Sequence, residues 1–318
     1  MMPLPSPSLS TPQTRLPALG LGIDAGGTAS RWALANERGE IVAHGQVAGM
    51  TALQVNTDAG RATLQKTLTE LVQAARLATA NLGVIEQVQA GFTGFDPSNP
   101  ALTKLLAAIL QLPAPQIHIT NDIEVAYLDV FQAGEGYLVY AGTGSIAAYI
   151  DPSGSFHRAG GRGSIVDDGG SGYWIAREAL RHIWRTEDEA PGSWQNSPMA
   201  KAVLAHIGSD DWQVSRSFIT QSSRGEMGKL ALAVASIADL DPLALNILQQ
   251  AGQELARLAN ALCGRFGDKP VALAGRVQEL HPAIVLSMQA HLNSQQPLQL
   301  RTNLAHMGAA KMAIKRHQ

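Results

Sequence analysis

Two short turns rich in glycine and threonine are candidate phosphate-binding segments. The first, DAGGT, covers residues 24–28, and the second, GTGS, covers residues 142–145. Glycines leave backbone N–H groups unobstructed, and N–H groups clustered in a turn bind anions, phosphate above all. Thr28 and Thr143 each add a hydroxyl, and Asp24 supplies a carboxylate that could orient Mg²⁺ through water. The alternative is that these glycines only form tight turns. The candidate contacts are Asp24, Gly26, Gly27, Thr28, Gly142, Thr143, Gly144 and Ser145.

The two turns occupy equivalent positions in a repeated unit. Residues 22–45 and 137–160 share a glycine or threonine at four pairs of positions, and the members of each pair are 115 residues apart. Each copy has the pattern of three strands joined by two turns. A duplication predicts two facing domains that grip one polyphosphate from both sides, although four coincidences in a glycine-rich chain can arise by chance. The pairs are Gly27 and Gly142, Thr28 and Thr143, Gly39 and Gly154, and Gly45 and Gly160.

The segments around these units predict alternating helices and strands. After the first unit, apolar residues at helical spacing indicate a helix with Asp58 as its N-cap. Two strands are expected near residues 87–94 and 116–120, separated by a helix. The part after the second unit is expected to be mostly helical, with a long helix over residues 242–266 and one strand at residues 270–275 before two final helices. Helices on mixed sheets define an α/β fold.

Composition restricts the compartment and the partners. The chain has 318 residues and is 45% hydrophobic, which is enough for a large core. A formal net charge of -2 provides no basic excess for nucleic acid or for an anionic membrane. Cys263 is the only cysteine, and the nine histidines lack zinc-site spacing. The single cysteine indicates a reducing compartment, no apolar run is long enough to span a membrane, and the first residues have proline and serine where a signal peptide needs an apolar stretch. We therefore expect a cytoplasmic protein whose residues 1–16 form a flexible tail.

Two other nucleotide motifs do not fit the chain. GTGSIA, residues 142–147, matches the G-x-G-x-x-A pattern of dinucleotide sites, but that pattern requires a helix immediately afterwards. Here a strand-like AAYI and a turn follow instead. The phosphate-loop pattern G-x-x-x-x-G-K-[ST] does not occur in the sequence.

Five motifs together resemble the N-acetylglucosamine and glucosamine kinases, a group that also contains the BadF/BadG/BcrA/BcrD-type ATPases. The resemblance spans Leu19 to Lys315 and implies a two-lobed, duplicated, actin-like (ribonuclease H-like) α/β fold that binds ATP, Mg²⁺ and a sugar in the cleft between its lobes. The motifs are GIDAGGT (22–28), NDIEVAYLDVF (121–131), AGTGS (141–145), GGRGSIVDDGGSGYWIAREAL (160–180) and VALAGRV (271–277).

The resemblance also implies how the chain divides. Residues 17–121 would form the N-terminal lobe and residues 122–303 the C-terminal lobe. A final helix, residues 304–318, would complete the N-terminal lobe. MGAAK, residues 307–311, resembles the interdomain hinge helix, in which small residues permit close packing.

Asp122 matches the catalytic carboxylate of that family. The residue follows an expected buried strand and begins a helix, so its side chain should lie at a sheet end that faces the cleft. There it could accept the proton of a sugar hydroxyl that attacks the γ-phosphoryl group. The alternative is an ordinary N-cap aspartate.

Three residues of the GGRGSIVDDGG segment fall on sugar-contact positions of the family: Gly161, Arg162 and Asp168. Asp168 is the stronger candidate, because a carboxylate can accept hydrogen bonds from vicinal hydroxyls. Arg162 stands where many relatives have tryptophan, and Gly169 stands where they often have glutamate.

Two further positions are assigned by resemblance. An ungapped count from Thr28 places Thr51 where relatives have a sugar-binding asparagine, and a one-residue gap would select Ala52 instead. These departures put the identity of the sugar in doubt, and an N-acetyl group need not be required. Gly275 matches the glycine that lies against adenosine, although a structural glycine at a strand end would look the same.

Three functions from different classes follow. The leading one is ATP-dependent phosphorylation of an amino sugar, N-acetylglucosamine or glucosamine, at its 6-hydroxyl by a homodimer. The second is an ATPase activator of the benzoyl-CoA reductase type, which needs cysteine ligands for an iron–sulfur cluster. The third is a non-catalytic sugar sensor, for which no helix-turn-helix segment or basic patch is evident.

Overall fold

The first sheet is a meander followed by two parallel strands. The computed structural model describes residues 16–79, 82–302 and 304–317, so the predicted tail lies outside the described residues except for Leu16. The strand order is β3-β2-β1-β4-β5, in which β1 to β3 are antiparallel and β4 and β5 run parallel to β1. The strands are β1 (Ala18–Ala25), β2 (Ala29–Ala35), β3 (Ile41–Ala48), β4 (Val84–Phe92) and β5 (Ile117–Thr120).

The second sheet repeats this topology. Its order is β8-β7-β6-β9-β10, again with an antiparallel meander and two parallel strands. Gly39 and Gly154, which are equivalent in the repeat, both adopt positive φ in the second turn of their meander, at 76° and 86°. The prediction of two equivalent units is therefore confirmed. The strands are β6 (Tyr137–Ala141), β7 (Ser145–Ile150), β8 (Phe156–Gly160), β9 (Val271–Ala274) and β10 (Gln299–Arg301).

Helices cover both sheets. The long helix over residues 242–266 is confirmed, but α5, α6 and the short strand β10 were not predicted. Asp58 is not an N-cap, because the hydroxyl of Thr57 accepts the hydrogen bond from the Gly60 N–H, at 3.1 Å. The helices are α1 (Asp58–Ala78), α2 (Ala101–Leu110), α3 (Asp122–Val130), α4 (Gly172–Glu189), α5 (Pro198–Ile207), α6 (Trp212–Gln221), α7 (Arg224–Ser236), α8 (Pro242–Phe266), α9 (Pro282–His291) and α10 (Ala305–Lys315).

Each sheet has its own hydrophobic core, which gives the molecule two lobes. Leu19, Leu21 and Ile23 point from β1 into the core of the first lobe. Tyr137 and Val139 point from β6 into the core of the second. This arrangement confirms the two-lobed α/β fold. No helix in the described part of the chain has the length and apolar content needed to cross a bilayer.

The last helix, α10, lies on the first sheet although it follows the second sheet in sequence. It packs over Gly20 and Gly22 of β1, whose missing side chains allow backbone to approach backbone. A Cβ atom added at Gly22 would lie 2.1 Å from the carbonyl oxygen of His306 and 2.2 Å from the nitrogen of Ala310. The glycines of β1 therefore decide where the C-terminal helix can dock.

Candidate active site

The two glycine turns converge on the N-terminal part of α7. A Cβ atom added at Gly225 would lie 3.2 Å from Thr28 Oγ1, and one added at Gly228 would lie 3.6 Å from Thr143 Cγ2. Gly225 and Gly228 are three residues apart and therefore lie on one face of the helix. Turns from opposite lobes thus face a single space beside a helix N-terminus, where backbone N–H groups favour anions.

Two acidic side chains stand at the sheet edge beside the first turn. Asp24 is the next-to-last residue of β1, and Asp122 begins α3 directly after the β5 strand and Asn121. Burial and, to a smaller extent, the nearby charge of Asp122 raise the pKa of Asp24 to about 7, against the opposing charge of Arg31. Each ionised carboxylate therefore makes it harder for the other to ionise.

Asp122 accepts hydrogen bonds that only partly offset the cost of burying its charge. Thr93 Oγ1 donates to Asp122 Oδ2 at 2.5 Å, and the Ile123 N–H donates to Oδ1 at 3.0 Å. Burial nevertheless raises the pKa of Asp122, and these hydrogen bonds only lower it in part. The N-cap of α3 is Asn121, whose side chain also accepts from the Ile123 N–H. The alternative of an N-cap aspartate is therefore wrong.

Tyr140 connects the acidic pair to the second lobe. It lies near the end of β6, two residues before Gly142 of the second turn. Burial raises the pKa of Tyr140, and the charges of Asp24 and Asp122 raise it further. The phenol therefore lies close enough to both carboxylates to sense them, which places the acidic pair, the second turn and the first turn around one cleft.

Asp168 lies against the second turn. It is 3% exposed and adopts a left-handed backbone conformation with φ of 55°, which is rare for a residue with a side chain. Its Oδ1 accepts from the Gly163 N–H at 3.1 Å, and its Oδ2 accepts from Arg224 Nη2 at 2.5 Å. A Cβ atom added at Gly144 would lie 2.9 Å from Asp168 Oδ2. The predicted sugar contact is thus adjacent to the predicted phosphate contact.

Comparison with known proteins identifies the family. The sequence model of the BadF/BadG/BcrA/BcrD ATPase family matches residues 21–296. The chain belongs to this ATPase family. The match includes both glycine turns, the acidic pair, Asp168 and the segment of α7 that faces the turns.

Several of the named proteins that the chain resembles are amino-sugar kinases or candidates for that activity. The chain is 23% identical to the glucosamine kinase GspK of Vibrio cholerae over 262 residues, which cover 81% of this chain and 85% of the relative. A solved structure of a candidate N-acetylglucosamine kinase from Chromobacterium violaceum is 25% identical, with a TM-score of 0.71 over 93% of this chain and 98% of that one. A second such structure, from Porphyromonas gingivalis, has a TM-score of 0.74 at 20% identity and covers 95% of this chain and 100% of that one.

In this member of the BadF/BadG/BcrA/BcrD ATPase family, Thr51 lies beside the first turn. A Cβ atom added at Gly27 would lie 3.7 Å from Thr51 Cγ2, and the Thr51 side chain is only half-buried. Ala52 is 5% exposed, and its N–H donates to the carbonyl of Thr93 at 3.0 Å. Of the two candidate positions, Thr51 and Ala52, Thr51 is therefore the one with an accessible side chain.

The glycine loop after β8 holds the other predicted sugar contacts. The Gly161 N–H donates to the carbonyl of Ser145 at 3.0 Å, and a Cβ atom added at Gly161 would lie 2.7 Å from Ile146 Cδ1. Arg162 is exposed and has no hydrogen-bond or ion-pair partner among the residues that the structure describes. The backbone of this loop is therefore fixed against the second meander while the Arg162 side chain is free to meet a ligand.

Two residues that are predicted to contact the nucleotide also have structural roles. Gly275 has φ of 95°, and a Cβ atom added there would lie 2.2 Å from the carbonyl oxygen of Ala141. Packing at the ends of β6 and β9 therefore already requires glycine at this position. The Ser145 hydroxyl is buried and donates to the carbonyl of Gly169 at 2.7 Å, which commits that donor to the loop that carries Asp168.

No group of three or more histidine, cysteine, aspartate or glutamate side chains among the described residues is arranged to hold a metal ion. The carboxylate of Asp24 nevertheless fits a Mg²⁺ ion that enters with a nucleotide, because oxygen ligands and a few retained waters are what this ion prefers. Phosphate oxygens would then supply the remaining ligands.

Sequence reasoning missed Thr93, Tyr140 and the N-terminal turn of α7. The start of α7 carries a readable signal. Ser223 and Glu226 form a capping box, in which the Ser223 N–H donates to the glutamate at 2.8 Å and the Glu226 N–H donates to the serine hydroxyl at 3.2 Å. This S-x-x-E pattern predicts a helix start, but it does not predict what the helix faces.

Proposed function

We propose that this protein is an ATP-dependent kinase that phosphorylates an amino sugar at its 6-hydroxyl. One observation carries the proposal: glycine turns from both lobes and the Asp24 and Asp122 carboxylates surround one cleft, with α7 closing one side. Phosphoryl transfer needs little more than this, because it depends on positioning and on charge stabilisation. Membership in an ATPase family and similarity to named amino-sugar kinases support the same activity.

In this proposal Asp122 is the general base. It takes the proton of the sugar hydroxyl while that oxygen forms a bond to the γ-phosphorus of ATP. The bond from the γ-phosphorus to the bridging oxygen breaks at the same time, and ADP leaves with the electron pair. Thr93 fixes the orientation of the carboxylate, and burial makes Asp122 a stronger base than an exposed aspartate.

The nucleotide is proposed to lie between the turns. The backbone N–H groups of both turns and the hydroxyls of Thr28 and Thr143 would bind its phosphates. Asp24 would orient Mg²⁺ through water, and Gly275 would border the adenosine. The sugar is proposed to contact Thr51, Gly161, Arg162 and Asp168, which flank the two turns.

The single cysteine argues against an iron–sulfur activator. Cys263 lies in α8 and is half-buried, and burial raises the pKa of its thiol. Cluster ligation requires thiolates, usually several of them.

We expect glucosamine to be phosphorylated at least as well as N-acetylglucosamine. Thr51, Arg162 and Gly169 replace residues that hold the sugar and its substituent in many relatives, so the contacts to an N-acetyl group are changed. The measurement is kcat/KM in an ADP-release assay with Mg-ATP and glucosamine, N-acetylglucosamine, N-acetylmuramic acid or glucose. A preference of more than about tenfold for N-acetylglucosamine would contradict the proposal that these three replacements change the contacts to an N-acetyl group. ADP release that does not depend on added sugar would contradict the proposed kinase activity.

Replacing Thr28 or Thr143 with valine is expected to weaken Mg-ATP binding by about 10-fold to 100-fold, since each change removes one hydrogen bond to a charged phosphate. Sugar binding should change little. Titration calorimetry with a non-hydrolysable ATP analogue and with the sugar measures both effects. Thr63→Val is the matched control, because that hydroxyl is exposed on α1 and, among the residues that the structure describes, bonds only to the Ala59 carbonyl. Loss of nucleotide affinity in only one of the two turn variants would contradict a shared clamp.

A further inference from the structure

Arg224 is placed where the proposed sugar and phosphate sites meet. It is the first residue of α7, and the next residue, Gly225, faces Thr28 of the first lobe. Its own guanidinium reaches the second lobe's turn, because a Cβ atom added at Gly144 would lie 3.1 Å from Arg224 Nη2. One residue therefore stands beside both turns.

The guanidinium is anchored on one side and open on the other. Its Nη2 donates to Asp168 Oδ2 at 2.5 Å. Asp168 is only 3% exposed, whereas the Arg224 side chain is 53% exposed. An arginine has five N–H donors in a planar fork, so the bond to one carboxylate oxygen leaves donors available to a ligand in the cleft.

The anchor itself is held in an unusual conformation. The backbone of Asp168 is left-handed, its Oδ1 accepts a hydrogen bond from the Gly163 N–H, and its Oδ2 accepts one from Arg224. A non-glycine residue adopts this conformation at a cost, and such residues concentrate at functional sites. Burial raises the pKa of Asp168, and the charge of Arg224 opposes that rise.

We propose that Arg224 is a catalytic residue that stabilises the negative charge on the phosphoryl group during transfer, and that Asp168 positions its guanidinium for this task. The inference rests on the proposed kinase activity. The O–P bond forms and the bridging P–O bond breaks as described above, and Arg224 donates hydrogen bonds to the non-bridging oxygens without exchanging a proton. Guanidinium groups suit this role because their fork matches phosphate oxygens.

The test compares Arg224→Ala and Arg224→Lys with the wild-type enzyme. Arg224→Ala should lower kcat by roughly 10²- to 10³-fold, while the dissociation constants of ADP and of the sugar change by less than about fivefold. The kcat of Arg224→Lys should fall between those of Arg224→Ala and the wild type, because lysine keeps the positive charge but lacks the planar fork of N–H donors. Added guanidinium ion should restore part of the kcat of Arg224→Ala. Arg216→Ala is the control, because Arg216 is an exposed arginine on the neighbouring helix α6.

Two results would overturn the inference in an enzyme whose wild type is active and whose variants melt normally. One is a kcat of Arg224→Ala within about fivefold of wild type. The other is a loss of sugar affinity as large as the loss of kcat, which would make Arg224 only a support for Asp168. A wild-type protein that releases no ADP with any amino sugar would instead contradict the proposed function.

Discussion

Asp122→Asn is expected to lower kcat by roughly 10²- to 10⁴-fold while the affinity for Mg-ATP stays within a few-fold of wild type. The carboxylate is proposed to act on the acceptor hydroxyl rather than on the nucleotide, so its loss should affect the chemical step. Asparagine keeps the size of the side chain and can still accept the hydrogen bond from Thr93, which lies 2.5 Å from Asp122 Oδ2. The fold around α3 should therefore be preserved.

Steady-state kinetics and nucleotide titration on the same preparation measure this effect. Asp239→Asn is a suitable control, because that carboxylate is 88% exposed and, within the described part of the chain, pairs only with His281. It should leave kcat unchanged. Near-normal turnover by a folded Asp122→Asn enzyme would remove Asp122 from the mechanism.

Gly22→Ala is expected to lower the free energy of unfolding by about 3 kcal/mol or more. The new methyl group would overlap the carbonyl of His306 and the nitrogen of Ala310, both of which are backbone atoms of α10. Backbone within a helix cannot rotate away as a side chain can, so α10 must shift as a unit from the first sheet. Urea denaturation followed by circular dichroism measures the loss.

Gly264→Ala provides the matched control for this substitution. Gly264 lies within α8, is exposed, and has no atom within 4 Å of an added Cβ. Alanine there should stabilise the helix by up to about 1 kcal/mol. Equal stability of Gly22→Ala and the wild type would show that α10 does not depend on the bare surface of β1.

The repeated meanders could be predicted because their signals are local. Turn glycines such as Gly39 and Gly154 need positive φ, and the strands between turns have short apolar patterns. Asp122 could be placed for the same reason, since a strand end and a helix start adjoin it in sequence. Family resemblance then supplied its proposed role.

The contacts that complete the site could not be predicted from local patterns. Asp168 and Arg224 are 56 residues apart, and nothing in either segment specifies the other. The approach of α7 to Thr28 depends on how two lobes pack, which no single segment encodes. The strand β10 has only three residues, too few to show an alternating pattern.

The docking of α10 on β1 has a consequence for synthesis on the ribosome. The first lobe is translated first, yet Gly20 and Gly22 remain uncovered until residues 305–315 have emerged. Its sheet therefore waits for a helix that follows the entire second sheet in sequence, and until then the glycine surface of β1 is open to chaperones and proteases. Maturation of the lobe made first thus depends on a segment made after the second lobe.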